Sequence, residues 1–312
     1  MKAGEPLVAP VGARSTNRRL SFGSLARRLK LWLLFGPAIA FLIVFFVTPT
    51  ALLLSSSFHD TDAYGYALPG LSLGEYRTIA TTPYLANSIF ATAVMALEVM
   101  ALCLLLGYPV AYSLVHVRSR TLRAILYSIV VSPLLTSVVV RTYGWVVMLA
   151  ANGPINELLL LTRLTPTPLK LLYTYPATVI SVAHVLLPFA ILPLAAAISE
   201  LNPDLSKAAA VLGANRVQTF WHVTLPLSAQ GILAAALLAF TVAMGTYITP
   251  VVVGGATQPL ASIRVYVVAL TLYNIPLSAA LSVAMLLITA CVAAAVLWIF
   301  RIWERRTYGQ AD

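Results

Sequence analysis

The sequence predicts an all-α, polytopic membrane fold with about six transmembrane helices. Three observations carry that prediction. Hydrophobic residues fill 60% of the 312 positions and charged residues only 10%, against about 25% charged in ordinary soluble domains. The apolar residues come in long runs almost free of charge, and a helix needs about 20 of them to cross a ~30 Å hydrocarbon core. The basic residues lie between these runs rather than on one folded face. The net charge of +10 therefore reads as membrane topology, not as nucleic-acid binding.

Taken in order, residues 1–30 are basic, hold Glu5 as their single acid and are rich in Ser, Gly and Pro, which predicts a disordered tail. The run from Leu31 to Leu54 follows. It exceeds the 7–15 apolar residues of a signal-peptide core, so it is expected to span. The predicted spans are 31–54, 86–115, 122–149, 177–198, 229–253 and 278–300, within a transmembrane domain of 31–303 and ahead of a short tail, 304–312. Pro109, Pro133, Pro188 and Pro193 fall inside spans and are expected to kink rather than break them, because neighbouring helices satisfy freed backbone groups. Between spans, 56–85 reads as turns with a short interfacial element, and 254–277 is similar in character to the loop 150–176. The loop 150–176 holds a short apolar piece, Ile155 to Leu161, too short to span and suited to the interface.

Orientation follows from Lys and Arg, which mark cytoplasmic loops. With an N-in start, fifteen of the 20 basic residues fall inside. Arg77, Arg141, Arg163, Lys170 and Arg264 form the outside set. Both termini are thus expected in the cytoplasm.

Several function classes find no support. Cys103 and Cys291 sit in apolar runs, where a thiol behaves as a small hydrophobe. The four histidines have no ligand spacing, so no metal site is assigned. No Gly-rich phosphate loop, carboxylate pair or nucleophile triad can be placed, and no catalytic residue or bound cofactor is expected.

The least hydrophobic long stretch of the second half is ELNPDLSKAAAVLGANRVQTFWHVTLPL, Glu200 to Leu227, between spans on the predicted cytoplasmic side. Pro203 suits a first helical turn, and Gly213 suits a stop in left-handed backbone. A second amphipathic piece, Arg216 to Val223, is expected to end before Leu225-Pro226. The prediction is a helix–turn–helix hairpin at 200–227 with Leu205, Ala208, Ala209 and Leu212 on one apolar face. An ordinary solvated loop is the plainer reading of the same residues.

This stretch resembles the cytoplasmic loop of permease subunits of binding-protein-dependent ABC importers, whose pattern is Glu-Ala-Ala, three residues, Gly, nine residues, Ile or Val, one residue, Leu-Pro. The matching residues are Ala208, Ala209, Gly213, Val223, Leu225 and Pro226, with Leu212 and Ala214 beside the glycine. Lys207 departs from the pattern by replacing the glutamate. VVVRTYGWVVML from Val138, VVVGGATQPLASI from Val251 and NIPLSAALSVAM from Asn274 look like the polyamine (spermidine/putrescine) branch. The resemblance implies a type I importer permease fold in a bacterial inner membrane. It also implies two copies of an ATPase subunit using ATP and Mg, a periplasmic solute-binding protein, and a second permease forming a heterodimer or a homodimer. The hairpin, with Leu205 and Lys207 included, would dock on the ATPase. A stand-alone secondary transporter or channel is the competing reading, but it gives the hairpin no role.

Ionisable and polar groups inside spans are costly and mark candidate pathway residues. Glu98 is the one acid deep in a predicted span. Arg141 and Tyr143 lie in the outer part of the third, and Tyr247 and Thr249 stand beside Pro250 in the fifth. Each also has a plainer reading as an internal hydrogen-bond partner or an interfacial anchor.

Overall fold

A computed structural model describes residues 35–62 and 64–308, with side chains to residue 305. The tail expected at 1–30 and the last residues of the expected 304–312 tail lie outside that range. Among the described residues every regular element is helical, with one isolated antiparallel bridge between Thr61 and Ala67. The chain divides into two units, one ending at Leu53 and the other beginning at Leu54.

The first unit holds most of helix α1, Phe35–Ser56. Apolar side chains surround it and none in its apolar window is buried, the pattern of a helix solvated by lipid. Pro49 offers no N–H to the carbonyl one turn earlier, and the ladder widens into a π turn, Ile43–Val47, just before it.

In the second unit, α2 is Gly74–Thr81, α3 Pro83–His116, α4 Arg120–Leu135, α5 Val138–Leu149, α6 Pro154–Leu161 and α7 Tyr175–Ser199. The hairpin helices are α8, Pro203–Val211, and α9, Arg216–Leu227. Then come α10, Ala229–Gly245, α11, Ala261–Leu270, and α12, Ile275–Tyr308. Among the described residues five segments are long and apolar enough to cross a membrane, namely α1, α3, α5 together with α6 (Val138–Leu161), α7 and α12, and six if the bent pair α9 and α10 counts as one span.

The structure corrects three expectations. The third span, 122–149, is interrupted at Thr136 and Ser137, so α4 and α5 are separate helices; Pro133 remains inside α4. The fifth span, 229–253, is also broken. Helix α10 stops at Gly245, Thr246 and Tyr247 are non-helical, and a π turn, Pro250–Gly254, follows. Pro250 has no N–H for the Thr246 carbonyl, which explains a stop near this point. The loop 254–277 holds the short apolar α11, as its likeness to 150–176 leads one to expect, and α12 runs through residue 303 to Tyr308. The second hairpin helix passes through Leu225 and Pro226 instead of ending before them. By contrast, Pro109, Pro188 and Pro193 stay within continuous helices, and α6 occupies the short apolar piece expected near Ile155.

Helices α3, α7 and α10 pack most extensively on one another. Their core holds Met95, Val99 and Cys103 from α3, Leu186, Ile191 and Leu194 from α7, and Ala235, Ala239 and Phe240 from α10. Lipid tails are as apolar as leucine, so close van der Waals packing between small residues replaces the hydrophobic drive here. Gly231 takes this furthest. A Cβ at this position would overlap the Cβ of Ala197 and lie 3.1 Å from the Pro193 carbonyl oxygen. Helix α11 is tied to α3 by a different device: the Thr92 hydroxyl accepts the first-turn N–H of Ala261 at 2.8 Å, satisfying a donor with no partner inside its own helix.

Candidate functional site

The hairpin is specified residue by residue. Asn202 caps α8 by accepting from the Asp204 N–H at 2.9 Å, and Pro203 occupies the first turn. At the other end the Gly213 N–H donates to Ala210 O and the Ala214 N–H to Ala209 O, both at 3.0 Å. This is a Schellman closure, and it requires the left-handed φ of +88° that Gly213 adopts. Asn215 and Gln218 then exchange side-chain and backbone hydrogen bonds at 2.8 Å, forming a capping box that starts α9.

Leu205, Lys207, Ala208, Leu212 and Gly213 are exposed, whereas Ala209 and Ala214 are half-buried against the turn. Val211 and Leu212 reach 87% and 88% exposure. With Val217 and Trp221 also exposed, the hairpin tip presents an apolar patch of the kind that marks a protein contact. Val211, Val217 and Trp221 extend the apolar face read from the sequence. Lys207 pairs with Asp204 at 2.7 Å on the open surface, so its charge is partly offset within α8. Val223, Leu225 and Pro226 are half-buried. Leu225 packs on the core, and Pro226 lines a groove with Trp221 and Phe300; these three sit at the root of the hairpin rather than on its tip.

That root is tied to the membrane core. Phe220 meets Tyr108 and Tyr112 of α3 edge-on at 5.5 and 5.9 Å, and the Tyr108 hydroxyl hydrogen-bonds the buried Ser228 Oγ at 2.8 Å. Ser228 stands at the 65° bend between α9 and α10. The hairpin root is thus packed against α3 and α10.

The intramembrane polar residues fall into three places. Glu98 is exposed on α3 and accepts a hydrogen bond from Tyr175 of α7 at 2.7 Å. Arg141 is half-buried, and its Nε and Nη1 are enclosed with no hydrogen-bond partner among the described residues. Beside it Tyr143 is exposed, Thr142 shares a hydrogen bond with Thr249 at 3.1 Å, and Trp145 Nε1 donates to His184 at 3.2 Å. Thr249 is 2% exposed and joins the two broken spans. Tyr247 lies elsewhere, stacked on Tyr266 of α11 with ring centroids 4.6 Å apart. No hydrogen bond or ion pair among the described residues joins Glu98 to Arg141. The partners Tyr175, His184 and Tyr266 come from distant segments, and no spacing in the sequence signals them. His, Cys, Asp and Glu form no group able to hold a metal among the described residues.

Comparison with known proteins supplies the context. Residues 103–308 match the model of a binding-protein-dependent transport system inner membrane component. The chain is similar to the spermidine/putrescine transport system permease protein PotB of Escherichia coli (strain K12), with 30% identity over 250 residues, 80% of this chain and 90% of that protein. It is also similar to PotB of Haemophilus influenzae, with 35% identity over 70% of this chain and 75% of the relative. Its fold resembles a chain in the crystal structure of a bacterial alginate ABC transporter in complex with alginate pentasaccharide-bound periplasmic protein. That match has a TM-score of 0.69 and 19% identity, over 92% of this chain and 98% of the other.

Proposed function

The chain belongs to the family of binding-protein-dependent transport system inner membrane components, and from that premise we propose that it forms part of the path for a polyamine of the spermidine/putrescine kind. It is a permease subunit of an ABC importer and resides in the inner membrane. In the proposed assembly both termini are cytoplasmic. Two copies of an ATPase subunit, using ATP and Mg, contact the 200–227 hairpins, a second permease completes the path and a periplasmic binding protein delivers solute.

The observation that carries the coupling role is the hairpin itself. Its tip exposes Leu205, Val211, Leu212 and Val217, while its root is held by Tyr108, Phe220 and Ser228. An apolar tip on a braced root can transmit a push. Closure of the ATPases on ATP would draw the two hairpins together and favour one orientation of the path, and the loaded binding protein would favour the same orientation from outside. The polyamine assignment draws its support from similarity to the two PotB proteins over most of this chain.

The test is purification of the tagged chain in mild detergent from its native host, followed by reconstitution of whatever co-purifies into liposomes. A stoichiometric ATPase and ATP-dependent spermidine uptake are expected. Purification of the chain alone, with flux that needs no ATP, would replace this reading with a self-sufficient transporter. Uptake of other solutes but not polyamines would overturn the substrate assignment alone.

Glu98 gives a further prediction. Glutamine keeps an acceptor for the Tyr175 hydroxyl but removes the charge that attracts a cation. Glu98→Gln is expected to slow spermidine uptake roughly tenfold, the scale of one charge interaction of about 1.4 kcal/mol, with the complex still assembled. Uptake at the wild-type rate would remove Glu98 from the path.

A further inference from the structure

Helices α10, α11 and α12 frame an open groove of about 640 Å³. Three features set it apart from a gap between helices. First, Tyr247 and Tyr266 line it as a stacked pair. Second, Ser262, which also lines it, is only 9% exposed, and its Oγ has no hydrogen-bond partner among the described residues. A buried hydroxyl left unsatisfied is unfavourable and calls for an explanation. Third, Tyr247 lies in the non-helical break that follows Gly245. Irregular backbone is tolerated at membrane depth where it is buried in protein or lines a cavity.

The lining contains no Lys, Arg, Asp or Glu. Its walls are apolar side chains such as Met244 and Met285, with tyrosine rings and hydroxyls set among them. An organic ammonium with methylene spacers matches that chemistry. The π-faces attract a cation, the serine oxygen accepts an ammonium N–H, and the methylenes meet the apolar wall. A fixed positive charge would repel such a guest, and none lines the groove.

From these features we infer that the groove is an intramembrane holding site for the transported organic cation. The inference rests on the polyamine reading above. Its position also explains how release would be timed. Helix α10 continues from the hairpin through the bend at Ser228, so movement of the hairpin displaces one wall of the groove and separates Tyr247 from Tyr266 and Ser262 on α11.

The test uses the assembled importer in proteoliposomes with its binding protein. Tyr247→Leu and Tyr266→Leu are each expected to raise the KM for spermidine uptake by about fivefold, the scale of a cation–π contact of about 1 kcal/mol. Tyr247→Phe keeps the π-face and is expected to recover most of the affinity that Tyr247→Leu loses. Co-purification of each variant with its partner subunits at wild-type yield controls for folding. In a background lacking Cys103 and Cys291, Ala269→Cys is expected to react with a cationic methanethiosulfonate reagent and to be protected by spermidine. If the wild type imports spermidine and the leucine variants match it, the holding site is overturned and the transport assignment stands. An Ala269→Cys thiol that does not react would mean that lipid or a partner helix fills the groove, and it too overturns the inference. Failure of the wild type to import any polyamine removes the substrate reading and the inference with it.

Discussion

Gly213→Asp is expected to cut ATP-driven uptake at least tenfold while the permease still assembles in the membrane. The Gly213 φ of +88° is the left-handed backbone that closes α8, and a residue with a Cβ there incurs a penalty of about 1–2 kcal/mol. A Cβ at this position meets nothing within 4 Å, so the substitution does not disturb the interior. Its two effects fall on the docking tip: loosening of the Schellman turn, and a carboxylate placed beside Leu212. A factor of ten corresponds to about 1.4 kcal/mol, most of it expected from the carboxylate at the docking tip. Aspartate tolerates left-handed backbone better than most residues, so comparison with Gly213→Asn separates the two effects. Asparagine keeps the turn and adds no charge; it is expected to retain most of the uptake. ATPase activity measured alongside uptake completes the experiment, since uncoupling predicts hydrolysis without transport. Wild-type uptake in the aspartate variant would sink the docking role of the tip.

The fold was legible where it depended on the long apolar runs. Runs near 86–115 and 177–198 became α3 and α7 because length and hydropathy suffice to specify a span. The hairpin was legible because its punctuation is local: Pro203 in the first turn and Gly213 at the stop, although the Asn215–Gln218 capping box that starts α9 was seen only in the structure. The broken third and fifth spans were not. Continuous hydropathy across Thr136-Ser137 and Thr246-Tyr247 conceals a backbone interruption, since the bilayer selects for apolar composition whether or not the helix is unbroken. Proline was an ambiguous guide for the same reason. Pro188 and Pro193 sit inside one helix, whereas Pro250 opens a π turn just beyond a break.

Among the polar residues, the sequence identified single members but not their partners. Glu98 stands out as an acid in an apolar run, yet Tyr175, which donates to it, is one of 14 tyrosines with nothing to single it out. The same holds for Tyr247 and Tyr266. Tertiary proximity joins residues whose sequence separations follow no period. Ser262 could not be read as special at all, because its importance comes from a hydroxyl that the surrounding fold leaves unpaired.

Gly231 is where a one-carbon change should do most harm to the molecule itself. Gly231→Val would force side-chain carbons into the Ala197 Cβ and against the Pro193 carbonyl oxygen. Neither can turn aside, because one is fixed to the α7 backbone and the other belongs to it. Overpacking of this kind costs about 1–3 kcal/mol even where neighbours adapt, so the valine variant is expected to lose most folded protein on size-exclusion in detergent. Gly231→Ala allows a sharper test. It should lower the melting temperature, and Ala197→Gly in the same chain should restore much of the loss by removing the methyl that the new Cβ meets. Ala197→Gly alone carries its own penalty of about 1 kcal/mol for glycine within a helix, so recovery in the double variant is a coupling effect rather than a sum. Equal melting temperatures for Gly231→Ala with and without the compensating change would show that α10 does not owe its seat on α7 to this contact. The contact matters beyond stability because Gly231 lies three residues after Ser228, where the hairpin bends into α10. A helix held this closely at its base can turn the displacement of the hairpin into movement of its far end, where Tyr247 and the groove lie; a loosely seated one would absorb it.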